Sequence, residues 1–389
     1  MPGASKKKKT GPGATASLKP RWKKSPIPKQ YVNSVAISAD AGTVVAGTYF
    51  FPYAAGVKHS PADATLITVG TFAWNAKGKS LWQDKFPATE GVYWVALSRD
   101  STWAASGGRT APAQGFVYAY DVASGNRVLA YNTAVRVNMV ALSGDASYLV
   151  AGADETYLFS RSGASWGGPQ KLPCAPGDSV VAVAISADGA WIVAGTFKGS
   201  VILVPNKLGA FGAPSSCQLG SGSIHWAAIS GDGSTFAAAA GDSKVHCFKT
   251  ASFPAARAPA WSAPLTGCKG CRSVAVCDDG SLVSAAANAG SGGKVFLFAN
   301  KGTSGTLLWT QPTKRNPNST SIDAGGKYVT AADGYPDGTQ GDFYLFRADG
   351  TPAGSFKTSN MSWPMQISAN GSAIAAGSDN ASIYYFPVS

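Results

Sequence analysis

Short apolar runs alternate with tight polar turns along this chain, and the alternation recurs eight times. The copies begin at VAIS (Val35–Ser38), VALS (Val95–Ser98), VALS (Val140–Ser143), VAIS (Val183–Ser186), AAIS (Ala227–Ser230), VAVC (Val274–Cys277), TSID (Thr320–Asp323) and MQIS (Met365–Ser368). Their starts lie 60, 45, 43, 44, 47, 46 and 45 residues apart. A period of roughly 40–50 residues made of short strands is the pattern of a β-propeller.

Each copy reads as the same small unit. A first apolar strand runs into a turn such as SADAGT or SGDGST, where Asp, Asn and Gly tolerate positive φ and satisfy nearby backbone groups. Asp40, Asp100, Asp145, Asp188, Asp232 and Asp278 are assigned to this turn. A second strand follows, rich in Ala and Gly (VVAGTY, WIVAGT), which suits strands crowded near an axis. The third strand alternates β-branched and aromatic residues (FVYAY, KVFLF, DFYLF), as a half-buried strand does. The fourth, outer strand often carries a Trp: Trp82, Trp166, Trp261 and Trp309. No stretch shows sustained helical periodicity.

The expectation is therefore an all-β chain folded as a single β-propeller of eight four-stranded blades. The last copy has only three strands. The segment SLKPRWKKSP before the first copy resembles the fourth-strand segment KSLWQDKFPA, so residues 17–25 are expected to close the last blade, with Trp22 in the place of Trp82. That closure removes two exposed sheet edges. It makes residues 17–389 one domain behind a flexible basic arm of residues 1–16. A seven-bladed ring with one stray repeat is the competing reading.

Composition adds limits. Hydrophobic residues make up 45% and charged residues 14%, which fits a packed β protein. There is no apolar run of 18 residues to span a membrane. The N-terminus is basic but lacks the apolar core of a secretory signal, so a cytoplasmic location is expected, with peripheral membrane attachment as an addition.

Charge is uneven. Of the net +12, nine basic groups and no acid fall in residues 1–30, leaving 24 basic against 21 acidic residues elsewhere. Lys6, Lys7, Lys8, Lys9, Lys19, Arg21, Lys23 and Lys24 form the candidate arm contact. Lysine clusters attract phosphates and anionic lipid surfaces alike. A nucleic-acid-binding propeller is expected to carry a basic stripe on the ring itself, so any nucleic-acid contact is confined to the arm.

Candidate chemistry is sparse. His59, His225 and His246 fall in three different blades, and no paired Cys/His spacing for a metal occurs. Cys174, Cys217, Cys268 and Cys271 lie in segments joining an outer strand to the next blade, on one face of the ring. They read as free thiols or as a disulfide, which would imply an oxidising compartment. CKGC alone lacks the context of a thioredoxin-type site. No nucleophile elbow, phosphate-binding glycine loop, EF-hand or catalytic carboxylate pair is found. The chain is read as a non-enzyme without a cofactor.

Trp94 and Trp226 share one position just before VALS and AAIS, with Trp363 one position earlier in its own copy, and they are placed at the mouth of the central channel or between blades. Loops between second and third strands vary most and should emerge on one face. Tyr49, Phe50, Phe51 and Tyr53, with Arg109 and Tyr335, are the candidate partner contacts there.

VYAYDVASGNRVLAY (Val117–Tyr131), WNAKGKSLW (Trp74–Trp82) and LFRADGTPAGSF (Leu345–Phe356) resemble the third-strand–turn–fourth-strand segments of WD-repeat proteins and of quinoprotein-type repeats. The likeness covers nearly the whole chain and concerns architecture. WD-repeat proteins carry GH and WD pairs, and quinoprotein dehydrogenases imply a quinone, a calcium site and adjacent cysteines; the sequence has none of these residue pairs. The resulting expectation is a scaffold or accessory subunit that binds protein partners in a larger, membrane-associated or cytoplasmic complex through its loops and arm. The rivals are a nucleic-acid-associated subunit anchored by the arm and a propeller enzyme or small-ligand binder using the channel.

Overall fold

The computed structural model describes residues 16–50, 66–220, 222–335 and 340–388. Eight antiparallel units follow one another along these residues, each beginning with an innermost strand. The innermost strands are Tyr31–Ile37, Gly91–Leu97, Met139–Leu142 and Val180–Ile185 in blades 1 to 4, then Ile224–Ile229, Gly270–Val276, Pro317–Ile322 and Ser362–Ile367 in blades 5 to 8. Each packs against the next, and that of blade 8 packs against that of blade 1, so the units form a ring. Blades 1 and 2 are joined by a single bridge between Tyr49 and Gly91.

Blade 8 takes its outermost strand from the other end of the chain. Trp22–Lys24 pairs antiparallel with Ser382–Pro387, placing Trp22 opposite Tyr385. The Trp22 ring stacks on Tyr385 at 5.4 Å, and its indole N–H donates to the Ala76 carbonyl of blade 1. Upstream, Ser17 bridges to Ser355 and Leu18 packs into the core between blades 7 and 8.

The first turn of each blade explains the Ser-x-Asp signature. In blade 1 the Ser38 hydroxyl donates to Asp40 Oδ1 (2.6 Å), the Gly42 N–H donates to the same oxygen, and the Thr43 N–H donates back to Ser38 Oγ. The pattern recurs with Ser98/Asp100, Ser143/Asp145, Ser186/Asp188, Ser230/Asp232 and Ser368/Asn370. In blade 6 Asp278 lies in the turn as expected, but the Cys277 thiol donates to Asp279, which takes the capping role. CDDGS carries two consecutive aspartates, and the residue two after the Ser-equivalent fills the role.

These turns are also tied to each other. The Ala39 N–H donates to the Arg99 carbonyl, Arg99 N–H to Gly144, Gly144 N–H to Ala187 and Ala187 N–H to Gly231. Asp232 N–H then donates to Asp278, Asp278 to Ala324, Ala324 to Ala369, and Asn370 back to Ala39. The eight bonds make a closed belt around the axis on the turn face.

The small residues of the second strand have a specific use. A Cβ added to Gly47 would lie 2.2 Å from Val92 Cγ1 of the next blade. Gly107, Gly152, Gly195 and Gly377 face Val137, Val180, Ile224 and Val32 in the same way. The glycine is a socket for a branched side chain at the start of the neighbouring inner strand, so blade-to-blade packing, more than crowding at the axis alone, dictates it.

Two details differ from the sequence expectation. The outer edges of blades 3 and 4 are each split into two short strands, Ser165–Trp166 with Gln170–Pro173 and Ala210–Phe211 with Ser215–Gln218. Gly167-Gly168-Pro169 and Gly212-Ala213-Pro214 interrupt them, because proline has no N–H to give to the ladder. A single helical turn, Phe253–Ala256, stands in blade 5, where it buries Phe253 against Phe236 and Phe248.

Candidate functional site

The innermost strands begin on the loop face, and nearly all begin with an irregularity. Their pairing with the second strand shifts register between Val32 and Ser34, Val92 and Trp94, Val180 and Ala182, and Ile224 and Trp226. It shifts again between Cys271 and Ser273, Pro317 and Ser319, and Ser362 and Met365. A β-bulge leaves one residue unpaired and re-aims its side chain. In blade 3 the corresponding residue, Asn138, lies just ahead of the strand.

The re-aimed residues converge on one cavity of about 290 Å³ at the loop-face mouth of the channel. They divide by job. Asn33, Asn138 and Asn318 donate their amide N–H to the carbonyls of Tyr93, Val180 and Ser362, clamping each blade to its successor (2.8–2.9 Å). Tyr93, Val181, His225, Arg272 and Trp363 are chemically unlike one another although they occupy the same repeat position. The residues one step earlier in blades 1 to 5, Val32, Val92, Val137, Val180 and Ile224, are by contrast all branched and fill the glycine sockets.

Below the mouth the channel is partitioned. The indoles of Trp94 and Trp226 meet edge to face at 4.8 Å and line both the mouth and a second cavity of about 250 Å³ beneath it. The lower cavity is mostly apolar, with Ala228, Val276, Ile322 and Ile367 in its wall. On the turn face, Arg99 of blade 2 forms a bidentate ion pair with Asp278 of blade 6, both contacts at 2.6 Å. Among the described residues, the ring is thus open on the loop face and latched on the other.

The mouth is positively biased. Arg136 lies over the Tyr93 ring at 4.2 Å, bonds Asn138 and makes a 3.5 Å contact with Glu90, which also pairs with Arg109 at 2.8 Å. Arg272 is exposed and, among the described residues, has no ion pair or hydrogen bond. Burial, and then the nearby Arg272 charge, lower the pKa of His225, so its imidazole is neutral at pH 7. No carboxylate lines the cavity among the described residues. Neighbouring cations are already committed: Lys314 and Arg315 both pair with buried Asp342.

The other expected site residues are spread around the ring. Tyr49 is buried and meets Tyr93 edge to face at 5.6 Å, so it supports the mouth from behind. Phe50 is partly exposed, and its N–H donates to the Glu90 carbonyl. Arg109 is engaged with Glu90, and the Tyr335 hydroxyl donates to the Gly290 carbonyl of the adjacent blade. Lys19, Arg21, Lys23 and Lys24 sit on and beside the closing strand at the outer rim, with Arg21 over Tyr385 and Lys23 over Tyr384. Lys6, Lys7, Lys8, Lys9, Phe51, Tyr53 and His59 lie outside the described residues.

All six cysteines are free thiols. Burial pushes Cys174 and Cys217 up to about 11 and Cys247 up to about 12, which keeps them protonated at neutral pH. His246 is buried, with Ser262 at 2.8 Å from one ring nitrogen and Asp242 at 3.0 Å from the other. Among the described residues, no group of three or more His, Cys, Asp or Glu side chains is placed to hold a metal, and no helix is long and apolar enough to cross a membrane.

The fold has clear structural neighbours. Sqt1 from Chaetomium thermophilum, solved bound to the N-terminus of the ribosomal protein L10, matches with a TM-score of 0.71 at 14% identity, over 93% of this chain and 98% of that one. The structure of Chaetomium thermophilum Sqt1 solved without that segment gives 0.72 at 14% identity, over 96% and 98%. The β-propeller domain of Myceliophteria thermophila Cps50 (Swd1) gives 0.58 at 15% identity, over 93% and 98%. No protein-family model and no curated protein matches the sequence. The chain is a WD-repeat-like β-propeller in architecture, and at such identities the likeness speaks for the fold alone.

Proposed function

We propose that this protein is a non-enzymatic scaffold that seats a segment of a partner protein in the loop-face mouth of its ring. The observation that carries this is the collar: irregularities at the start of seven of the eight inner strands help bring Tyr93, Val181, His225, Arg272 and Trp363, beside three clamping asparagines, to a single mouth. Arg, Tyr and Trp are the residue types that dominate binding energy at protein interfaces, and Arg136, Arg272, Tyr93, Trp94, Trp226 and Trp363 gather here. Sqt1, a neighbour in fold, holds the N-terminus of a ribosomal protein, which supports a segment-binding reading without deciding the partner here.

The basic arm makes a second contact, to an acidic protein or an anionic membrane surface. The described basic residues that follow it, Lys19, Arg21, Lys23 and Lys24, lie at the outer rim, so arm and mouth would engage different surfaces of one assembly. A native pull-down tests this with the full-length chain, a chain lacking residues 1–16 and the Trp363→Ala variant, each with and without nuclease. The expected result is a defined protein set that survives nuclease, is lost with Trp363→Ala and is weakened without the arm. Recovery of nucleic acid alone would overturn the reading.

A further inference from the structure

The proposed docking of a partner segment leaves open what the mouth selects, and the following rests on that reading. We infer that the mouth accepts a carboxylate-bearing segment of a partner protein, with Arg272 as the group that receives the carboxylate and the aromatic collar holding the flanking residues.

Four observations lead there. First, Arg272 is the lining cation left uncommitted among the described residues, whereas Arg136 is shared between Glu90, Asn138 and the Tyr93 face. A guanidinium presents a planar fork that matches a carboxylate. Second, Arg272 stands at a bulge, between Cys271 and Ser273, so the backbone irregularity itself turns the side chain out of the ladder. Third, among the described residues no lining acid competes for it. Fourth, the remaining lining is Tyr93, Trp94, Trp226, Met361 and Trp363, which suits side chains of a polypeptide.

The same inventory disfavours a nucleic acid. Backbone phosphates recur, and a strand is tracked by a row of cations. Among the described residues, one free arginine stands among aromatics and asparagines whose amides are committed to neighbouring blades.

The test uses the immobilised full-length chain and three pools of short random peptides that differ only in a fixed central Glu, Gln or Lys. A single-stranded RNA oligomer serves as a fourth probe. A charge-assisted pairing predicts retention of the Glu pool over the Gln pool by about tenfold. Arg272→Gln should erase that preference, while Lys207→Gln, an exposed lysine on the opposite face, should leave it intact. Equal retention of the Glu and Gln pools, with both lost in Trp363→Ala, would overturn the carboxylate assignment and leave segment docking standing. Retention of no pool, or retention indifferent to both Arg272→Gln and Trp363→Ala, would overturn both. RNA retention lost with Arg272→Gln would replace the carboxylate by a phosphate backbone.

Discussion

Arg99 and Asp278, separated by 179 residues in sequence, form a bidentate ion pair across the turn face of the ring. They belong to blades 2 and 6, four blades apart in a ring of eight, so the pair spans the channel from opposite sides. Their side chains are 44% and 36% exposed, which places the pair within reach of solvent and salt. An exposed pair of this kind contributes about 0–1 kcal/mol. Its consequence is geometric: it latches the face opposite the mouth, above the backbone belt that already closes the ring.

The latch should therefore matter little for folding. A double-mutant cycle with Arg99→Ala and Asp278→Ala, read by denaturant unfolding, should give a coupling of about 1 kcal/mol or less that shrinks with added salt. A coupling several times larger and independent of salt would mean that the pair holds the ring shut.

The first turn imposes a left-handed residue in every blade. Glycine takes that place in Gly189, Gly233, Gly280, Gly326 and Gly371 (φ 69–72°), but Ala41, Ser101 and Ala146 hold it at φ 53–66°. A side chain there costs about 1–2 kcal/mol, partly offset by the chain entropy glycine loses. Ser101→Gly should stabilise the protein by about 0.5–1 kcal/mol, and Gly233→Ala should destabilise it by about 1 kcal/mol. Thermal unfolding of the two variants, with shifts in opposite directions, checks this.

The sockets between blades admit no Cβ. Gly47→Ala would bring a methyl group to 2.2 Å from Val92 Cγ1 and drive blades 1 and 2 apart. A loss of about 1–3 kcal/mol is expected, read as a lower unfolding midpoint. The companion Gly47→Ala/Val92→Ala should recover part of the loss, because the second change empties the socket.

Two sets of carboxylates give opposite pH dependences. Hydrogen bonds from the turn hold Asp40 below its ordinary value and take Asp279 down to about 2. Their stabilisation is fully present above about pH 4 and is lost as pH falls through the folded-state value. Asp379 is the reverse: burial raises it from 3.8 to about 7. The folded state then favours its neutral form, so stability falls as pH rises from about 4 to about 7 and is flat beyond. Unfolding at pH 4.5 and pH 7.5 should show this decline in the wild type and a smaller one in Asp379→Asn. An unchanged slope in the variant would remove Asp379 from the account.

The repeat was legible because it is made of local chemistry. The Ser-x-Asp turn, the small residues of the second strand and the aromatic third strand each serve one unit, so they recur. The closing segment was legible through the likeness of Trp22 to Trp82. The latch was not legible, since it pairs residues 179 apart in sequence, on blades 2 and 6, and no repeat pattern marks the pairing. The split outer edges followed from Pro169 and Pro214, whose meaning depends on pairing.

The collar was half visible. Trp94 and Trp226 stand one residue before the repeated motif, and they partition the channel. The residues one step earlier, Tyr93, Val181, His225, Arg272 and Trp363, share no chemistry, and that is why a search for recurring residues passes over them. Reading the eight copies against one another at the position two before the motif would have exposed them, since Asn holds it in three copies and five unlike residues hold it in the others.

Partners are proposed to enter at the loop-face mouth. Hydrogen-exchange and hydroxyl-radical footprinting of the full-length protein with its captured partner tests it most directly. Protection is expected at Tyr93, Arg272 and Trp363, with Leu308 on the outer rim and Arg99 on the turn face left unprotected. Protection confined to the rim or the turn face, with the mouth still open to solvent, would contradict it.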